Sequence, residues 1–248
     1  MTFYALIFLA GLWAGIQNSL AGGGSFVTLP TLIFSGLTPL AANITSTVAL
    51  FSSQISSGWA GRQLVTGTST VSFRALFIIS LLGGVVGALL LLNTPSSMFT
   101  LLVPWLVLFA TTLFAWGSFF RKTPEHPTQL SAPLTLFMQF LIAIYGGYFG
   151  GGIGFLMIAA LTVAGVPTRN AGATKNVLAG VMNAAAVLLF VFSPEVKWIP
   201  AGFMAVGAAL GGFAGAWALH RVNEKLLRLA IVGLGLALTV GLFLFPVH

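Results

Sequence analysis

Aspartate and cysteine are absent from this 248-residue chain, and its only carboxylate side chains are Glu125, Glu195 and Glu224. Without cysteine there is no disulfide framework, no thiolate nucleophile and no thiolate metal site. Without aspartate no Ser–His–Asp set can form, and each glutamate falls in a loop or at a helix end of the hydropathy pattern. Proton pumps and many cation symporters place carboxylates at mid-membrane; the apolar stretches here contain none. His126, His220 and His248 are far apart in sequence, whereas zinc needs converging ligands. No G-x-x-x-x-G-K-[ST] run occurs, so ATP hydrolysis by this chain is excluded. The expectation is a protein that is not an enzyme and holds neither metal nor cofactor.

Charge of either sign is scarce. Only 5% of residues are charged and 58% are hydrophobic, where a soluble domain carries about 25% charged residues. The runs 75–120 and 132–168 contain no charge at all and require lipid as solvent. A β-barrel would instead show alternating segments of about ten residues. The composition thus predicts an all-α polytopic membrane protein. The formal net charge of +7 fits basic residues in cytoplasmic loops. No basic stripe with interleaved aromatics points to nucleic acid, so the expected partners are the bilayer and a small solute. The first twenty or so residues lack the basic region of a signal peptide and read as a retained helix.

What is present is a repeat. Residues 21–54, AGGGSFVTLPTLIFSGLTPLAANITSTVALFSSQ, align without a gap on residues 150–183, GGGIGFLMIAALTVAGVPTRNAGATKNVLAGVMN, at an offset of 129. Gly22, Gly23, Phe26, Gly36, Ala42, Thr45 and Val48 fall on Gly151, Gly152, Phe155, Gly165, Ala171, Thr174 and Val177. Thr47 and Gln54 match Asn176 and Asn183 in character. LLGGVVGALLL (81–91) matches ALGGFAGAWAL (209–219) at an offset of 128. In membrane transporters, a short apolar segment broken by glycine at the same place in two copies marks the substrate site.

The pattern predicts five helical elements per half. In the first half they cover about 3–20, 25–35, 41–60, 73–93 and 98–120; in the second, about 132–149, 153–164, 169–192, 198–219 and 225–245. The segment 25–35 would be only about 16 Å long at 1.5 Å per residue, too short for a core of about 30 Å. It reads as a re-entrant or broken helix. The polar stretch RKTPEHPTQLS (121–131) reads as a cytoplasmic linker between an N-terminal transmembrane repeat (1–120) and a C-terminal one (132–248). Placing Arg62, Arg74, Arg121, Lys122, Arg221, Lys225 and Arg228 in the cytoplasm makes the two repeats inverted, with both termini outside.

Inside the apolar segments, only hydroxyls, amides and a few cations remain. Asn43, Thr45, Ser46 and Gln54 in the first copy, and Thr174, Lys175, Asn176 and Asn183 in the second, are the candidate substrate ligands. Backbone N–H groups near Gly23, Gly24 and Gly152 are candidates too, because helix N-termini suit anions. Hydroxyls and amides also glue membrane helices together, and these glycines also permit close helix packing. Lys175 has two readings: it meets an anion inside, or it snorkels to the cytoplasmic surface.

AGGGSF, the GLTP turn and ANITSTVA, with FGGGIGF, GVP and ATKNVLAGVMN in the second copy, resemble the sulfite exporter TauE/SafE family. The chain departs from that pattern at Thr174-Lys175-Asn176, where many members have Thr-Ser. The resemblance implies a secondary transporter in the bacterial inner (plasma) membrane. It would export a small sulfur-containing or organosulfonate anion such as sulfite or sulfoacetate. Two alternatives share the composition: an anion channel and a non-transporting membrane scaffold subunit. The oligomeric state is open.

Overall fold

The computed structural model describes residues 2–20, 22–120, 130–218 and 224–244. Of the linker predicted at 121–131 only the last two residues fall within that set. Glu125, His126, His220 and His248 lie outside it, as do Arg121, Lys122 and Arg221. Among the described residues the regular elements are all helical. They are α1 (Thr2–Leu20), α2 (Ser25–Phe34), α3 (Pro39–Gly61), α4 (Phe73–Leu92), α5 (Ser96–Ala115), α6 (Ala132–Tyr148), α7 (Ile153–Val163), α8 (Thr168–Phe190), α9 (Trp198–Ala218) and α10 (Glu224–Leu244). A 3₁₀ turn (Arg62–Leu64) extends α3, and a π-helical turn (Trp116–Phe120) extends α5; the pattern gave no sign of the latter.

Local chemistry sets the boundaries. Thr38 Oγ1 accepts the Ala41 N–H at 3.3 Å and Pro39 opens α3. Such a cap satisfies a donor that has no intrahelical partner, and Pro at the first position gives up no bond. Ser72 caps α4 in the same way. Helices α1, α4, α5, α8 and α9 are long and apolar enough to cross a membrane. Helix α3 is as long as α8, 23 residues, but is not among the five helices that meet the apolarity of a span. Helices α2 and α7, of 10 and 11 residues, cover roughly half of a hydrocarbon core of about 30 Å.

Contacts fix the directions. Tyr4 stacks on Phe203, Gly11 lies on Met204, Gly15 lies on Ala208, and Ser19 donates to the Gly212 carbonyl. Helices α1 and α9 are therefore parallel. Helix α3 follows α9 too, through Thr45 with Lys197, Ser52 with Ala205 and Ser56 with Gly212. Helices α4 and α6 ascend together through Ser80 with Gln139 and Gly87 with Ile144. At the centre α3 and α8 run oppositely, pairing Gln54 with Gly180, Gly58 with Val177 and Gly61 with Ala173.

Each packing has a counterpart when the halves are exchanged. Helix α1 lies on α9 as α6 lies on α4; α3 lies on α9 as α8 lies on α4; α2 lies on α3 as α7 lies on α8. With α3 and α8 running oppositely, this correspondence is what an inverted repeat, with a two-fold relation perpendicular to the helices, would produce. The fourth helix of each half packs on the first and third helices of the other, so the halves are entwined.

The glycines of the second repeated patch make this possible. Gly83 and Gly87 lie against α6, and Gly211 and Gly215 lie against α1. Between them, Gly84 meets Met182 of α8 and Gly212 meets Ser53 and Ser56 of α3. A methyl group at any of these six positions would press on neighbouring backbone or side-chain atoms. Large apolar side chains cover the outside, and all six tryptophans are at least 43% exposed. That is a lipid-facing exterior with amphipathic rings for the interface.

Candidate functional site

The two glycine clusters meet at the centre of the molecule. Helix α1 stops at Leu20, and Gly22 and Gly23 adopt φ of +86° and +82°. After α6, Gly150 and Gly152 adopt +77° and +74°. Left-handed backbone costs a residue with a Cβ about 1–2 kcal/mol, so glycine lets both chains reverse here. Gly22 faces Gly154 across the break, where a Cβ on Gly22 would lie 3.2 Å from the Gly154 Cα. Phe26 and Phe155, equivalent in the repeat, both pack on Phe114.

The first break is pinned by the polar end of α1. Gln17 donates from Nε2 to the Gly23 carbonyl at 2.7 Å, and its own carbonyl accepts the Gly22 N–H at 2.9 Å. Asn18 Oδ1 accepts the Gly24 N–H at 2.8 Å, and Asn18 Nδ2 donates to Ser53 Oγ at 3.3 Å. From this level α2 turns back along α3, where Thr28 and Ser46 share a hydroxyl–hydroxyl bond of 2.5 Å.

A cavity of about 30 Å³ lies between the breaks. Its polar lining comes from Asn18, Ser25, Thr47, Gln54, Ser57, Lys175, Asn176 and Asn183, with Gly22, Gly23, Gly150 and Gly154 at the breaks. Lys175 is only 3% exposed, and its Nζ donates to the Asn18 carbonyl at 3.1 Å. It does not snorkel to a surface. The Asn18 carbonyl belongs to the last turn of α1, where carbonyls lack intrahelical partners and the helix end carries negative partial charge. A backbone dipole therefore takes the place of a carboxylate. Gln54 Oε1 and Asn183 Oδ1, repeat equivalents that both belong to cavity-lining residues, are buried without a partner among the described residues.

Of the candidate ligands, Gln54, Lys175, Asn176, Asn183 and Gly23 converge on this cavity. The others are placed elsewhere. Asn43 Nδ2 donates to the Tyr148 carbonyl at 3.1 Å, and Ser46 is engaged with Thr28. Thr45 is held by the loop between α8 and α9, and Thr174 by the loop between α3 and α4. The Gly24 N–H is spent on Asn18, and Gly152 packs against Ala110 of α5. Asn43, Thr47 and Gln54 are spaced i, i+4 and i+11 on one face of α3; the last two reach the cavity and the first braces the end of α6. Ser25 and Gly154, at the ends of the candidate backbone stretches 23–25 and 152–154, also line the cavity, whereas Asn18, Ser57, Gly22 and Gly150 were not among the candidates. The polarity of Gln17-Asn18-Ser19 was visible in the sequence, but it read as a helix end. Chemically, one ammonium among neutral amides and hydroxyls favours a small anion.

The family model for the sulfite exporter TauE/SafE matches residues 7–242. Among curated proteins, the chain is 28% identical to a Sinorhizobium protein named "Probable membrane transporter protein ORF9", covering 98% of this chain and 94% of that one. It is 26% identical to a "Probable membrane transporter protein" of Haemophilus influenzae, covering 95% and 92%. It is also 26% identical to "Probable membrane transporter protein YunE" of Bacillus subtilis, covering 95% and 96%. No solved structure matches the chain.

Proposed function

Because this multi-pass membrane protein belongs to the sulfite exporter TauE/SafE family, we propose that it is a secondary carrier, working as an exporter in the bacterial inner membrane. Its substrate is a small sulfur-containing or organosulfonate anion such as sulfite or sulfoacetate. The observation that carries this reading is Lys175, an ammonium buried in the central cavity with a neutral backbone carbonyl as its described partner. A lysine at the centre of a membrane helix costs about 2.5–3.5 kcal/mol on insertion scales. An anion placed beside it would recover much of that cost. Amides from Gln54, Asn176 and Asn183 line the same cavity, and their NH₂ groups would complete the oxyanion's hydrogen bonds. A single full charge binds the ion without trapping it.

The cavity, about 30 Å³, exceeds the roughly 10–15 Å³ that one water needs, so the polar groups lining it are within reach of solvent. The test is reconstitution of the purified protein in liposomes loaded with unlabelled sulfite or sulfoacetate. Saturable counterflow of the labelled anion is expected. Absence of flux for every sulfur oxyanion and organosulfonate tried, or unitary currents in place of saturable exchange, would overturn the carrier reading.

A further inference from the structure

The cavity lies between two hydrogen-bonded clasps that the repeat makes equivalent. Thr45 and Thr174 occupy matching positions in the two copies, and both are completely buried. Thr45 Oγ1 accepts the Lys197 N–H at 3.1 Å and donates to the Glu195 carbonyl at 3.4 Å. Thr174 Oγ1 accepts the Thr66 N–H at 3.0 Å and donates to the Thr66 carbonyl at 3.1 Å. Each hydroxyl thus uses both its donor and its acceptor on the backbone of one loop, and in each case that loop belongs to the other half.

The clasps sit at opposite ends of the site. On α3 the cavity lining starts at Thr47, two residues beyond Thr45; on α8 it starts at Lys175, the residue after Thr174. Since α3 and α8 are antiparallel, one clasp closes the Glu195 face and the other closes the face bearing Arg62. Both loops are internally braced. Ser193 Oγ accepts the Glu195 N–H at 3.3 Å and Thr68 Oγ1 accepts the Val71 N–H at 2.9 Å; from α8, Asn170 Nδ2 also holds the Leu64 carbonyl at 2.9 Å, a second tie beside the Thr174 clasp. A braced loop moves as a unit when its clasp breaks.

We propose that Thr45 and Thr174 are the two gate latches of the central cavity, each controlling access from one face. Both clasps are formed in this structure. The carrier reading above is the premise only insofar as the cavity must be reached by an ion. Sequence reasoning placed both threonines among the substrate ligands; the geometry gives them this different task.

The absence of native cysteine makes the test direct. A single reporter, Ser25→Cys, lines the cavity. Its reaction with a membrane-impermeant sulfonatoethyl methanethiosulfonate is timed from each face, in right-side-out and inverted vesicles. Thr45→Val should accelerate labelling from the Glu195 face only, and Thr174→Val from the Arg62 face only. Losing two neutral hydrogen bonds corresponds to an acceleration of roughly 5- to 150-fold. Thr45→Ser and Thr174→Ser retain the hydroxyl and should label at the parental rate. Acceleration from both faces, from neither, or in the serine variants as much as in the valine ones would overturn the assignment. Sulfite counterflow by the parent is measured alongside. Flux without sided labelling removes the latches and leaves the carrier; sided labelling without flux removes the carrier and leaves the latches.

Discussion

An ammonium at the centre of a membrane protein needs compensation, and Lys175 receives it from the end of α1. This arrangement leaves the site with surplus positive charge, because a helix terminus supplies only about half an elementary charge. A carboxylate partner would cancel the charge that an anion needs. Charge-assisted hydrogen bonds are worth about 1.5–3 kcal/mol, so Lys175→Gln should weaken anion binding by about 10- to 150-fold. Asn183→Ala removes only neutral bonds and should cost about 0.5–1.5 kcal/mol. Isothermal titration with sulfite on folded protein checks both. The Lys175→Gln protein should also melt no lower than the parent, since removing a buried unpaired charge relieves desolvation. Unchanged affinity in Lys175→Gln would show that the anion does not bind beside Lys175. Lys175 stood out in the sequence because a charge in an apolar helix has few explanations. Asn18 did not, because a polar residue at a helix end is ordinary. Its three roles, with Gly24, Ser53 and Lys175, depend on contacts up to 157 residues apart that no local pattern encodes.

At the scale of elements, the helices were legible and their partners were not. Boundaries agreed closely because Gly, Pro and Ser/Thr caps act locally; α2 was expected at about 25–35 and runs Ser25–Phe34. The repeated glycines of α4 and α9 were visible as a motif, yet nothing in the sequence said that each set faces the other half. That pairing makes a quantitative distinction between glycines. A Cβ on Gly211 would drive into the Leu12 carbonyl of α1, whereas a Cβ on Gly172 of α8 meets nothing within 4 Å. Gly211→Ala should therefore lower the melting temperature in detergent. Gly172→Ala should hold or raise it, because alanine in a helix interior is favoured over glycine by about 0.5–1 kcal/mol. Equal shifts for the two variants in a fluorescence melting series would contradict the close packing of α9 on α1.

At the scale of the whole molecule, the counterpart helices α3 and α8 run in opposite directions where they meet, as the proposed inverted repeat requires. In a bilayer such a relation places the two-fold axis in the membrane plane. For the carrier proposed above, access from the two faces would then alternate as two equivalent halves trade conformations. The antiparallel central pair follows from contacts; which face is cytoplasmic has to be argued from charge. Arg62, Arg74 and Arg169 lie toward the face where α3 ends and α8 begins, while Glu195 and Lys197 lie between α8 and α9 on the opposite face. Short loops rich in Lys and Arg stay in the cytoplasm. The Arg62 face is then expected to be cytoplasmic, and α1, which runs parallel to α3, to begin outside. The C-terminus is expected outside as well, because in an inverted repeat the second half has the same element order in the opposite orientation. Single cysteines at positions 2 and 247 test this in a chain that has none of its own. Both should react in intact cells with an impermeant maleimide applied from the periplasmic side. Reaction of either one from the cytoplasmic side alone would rule out this orientation.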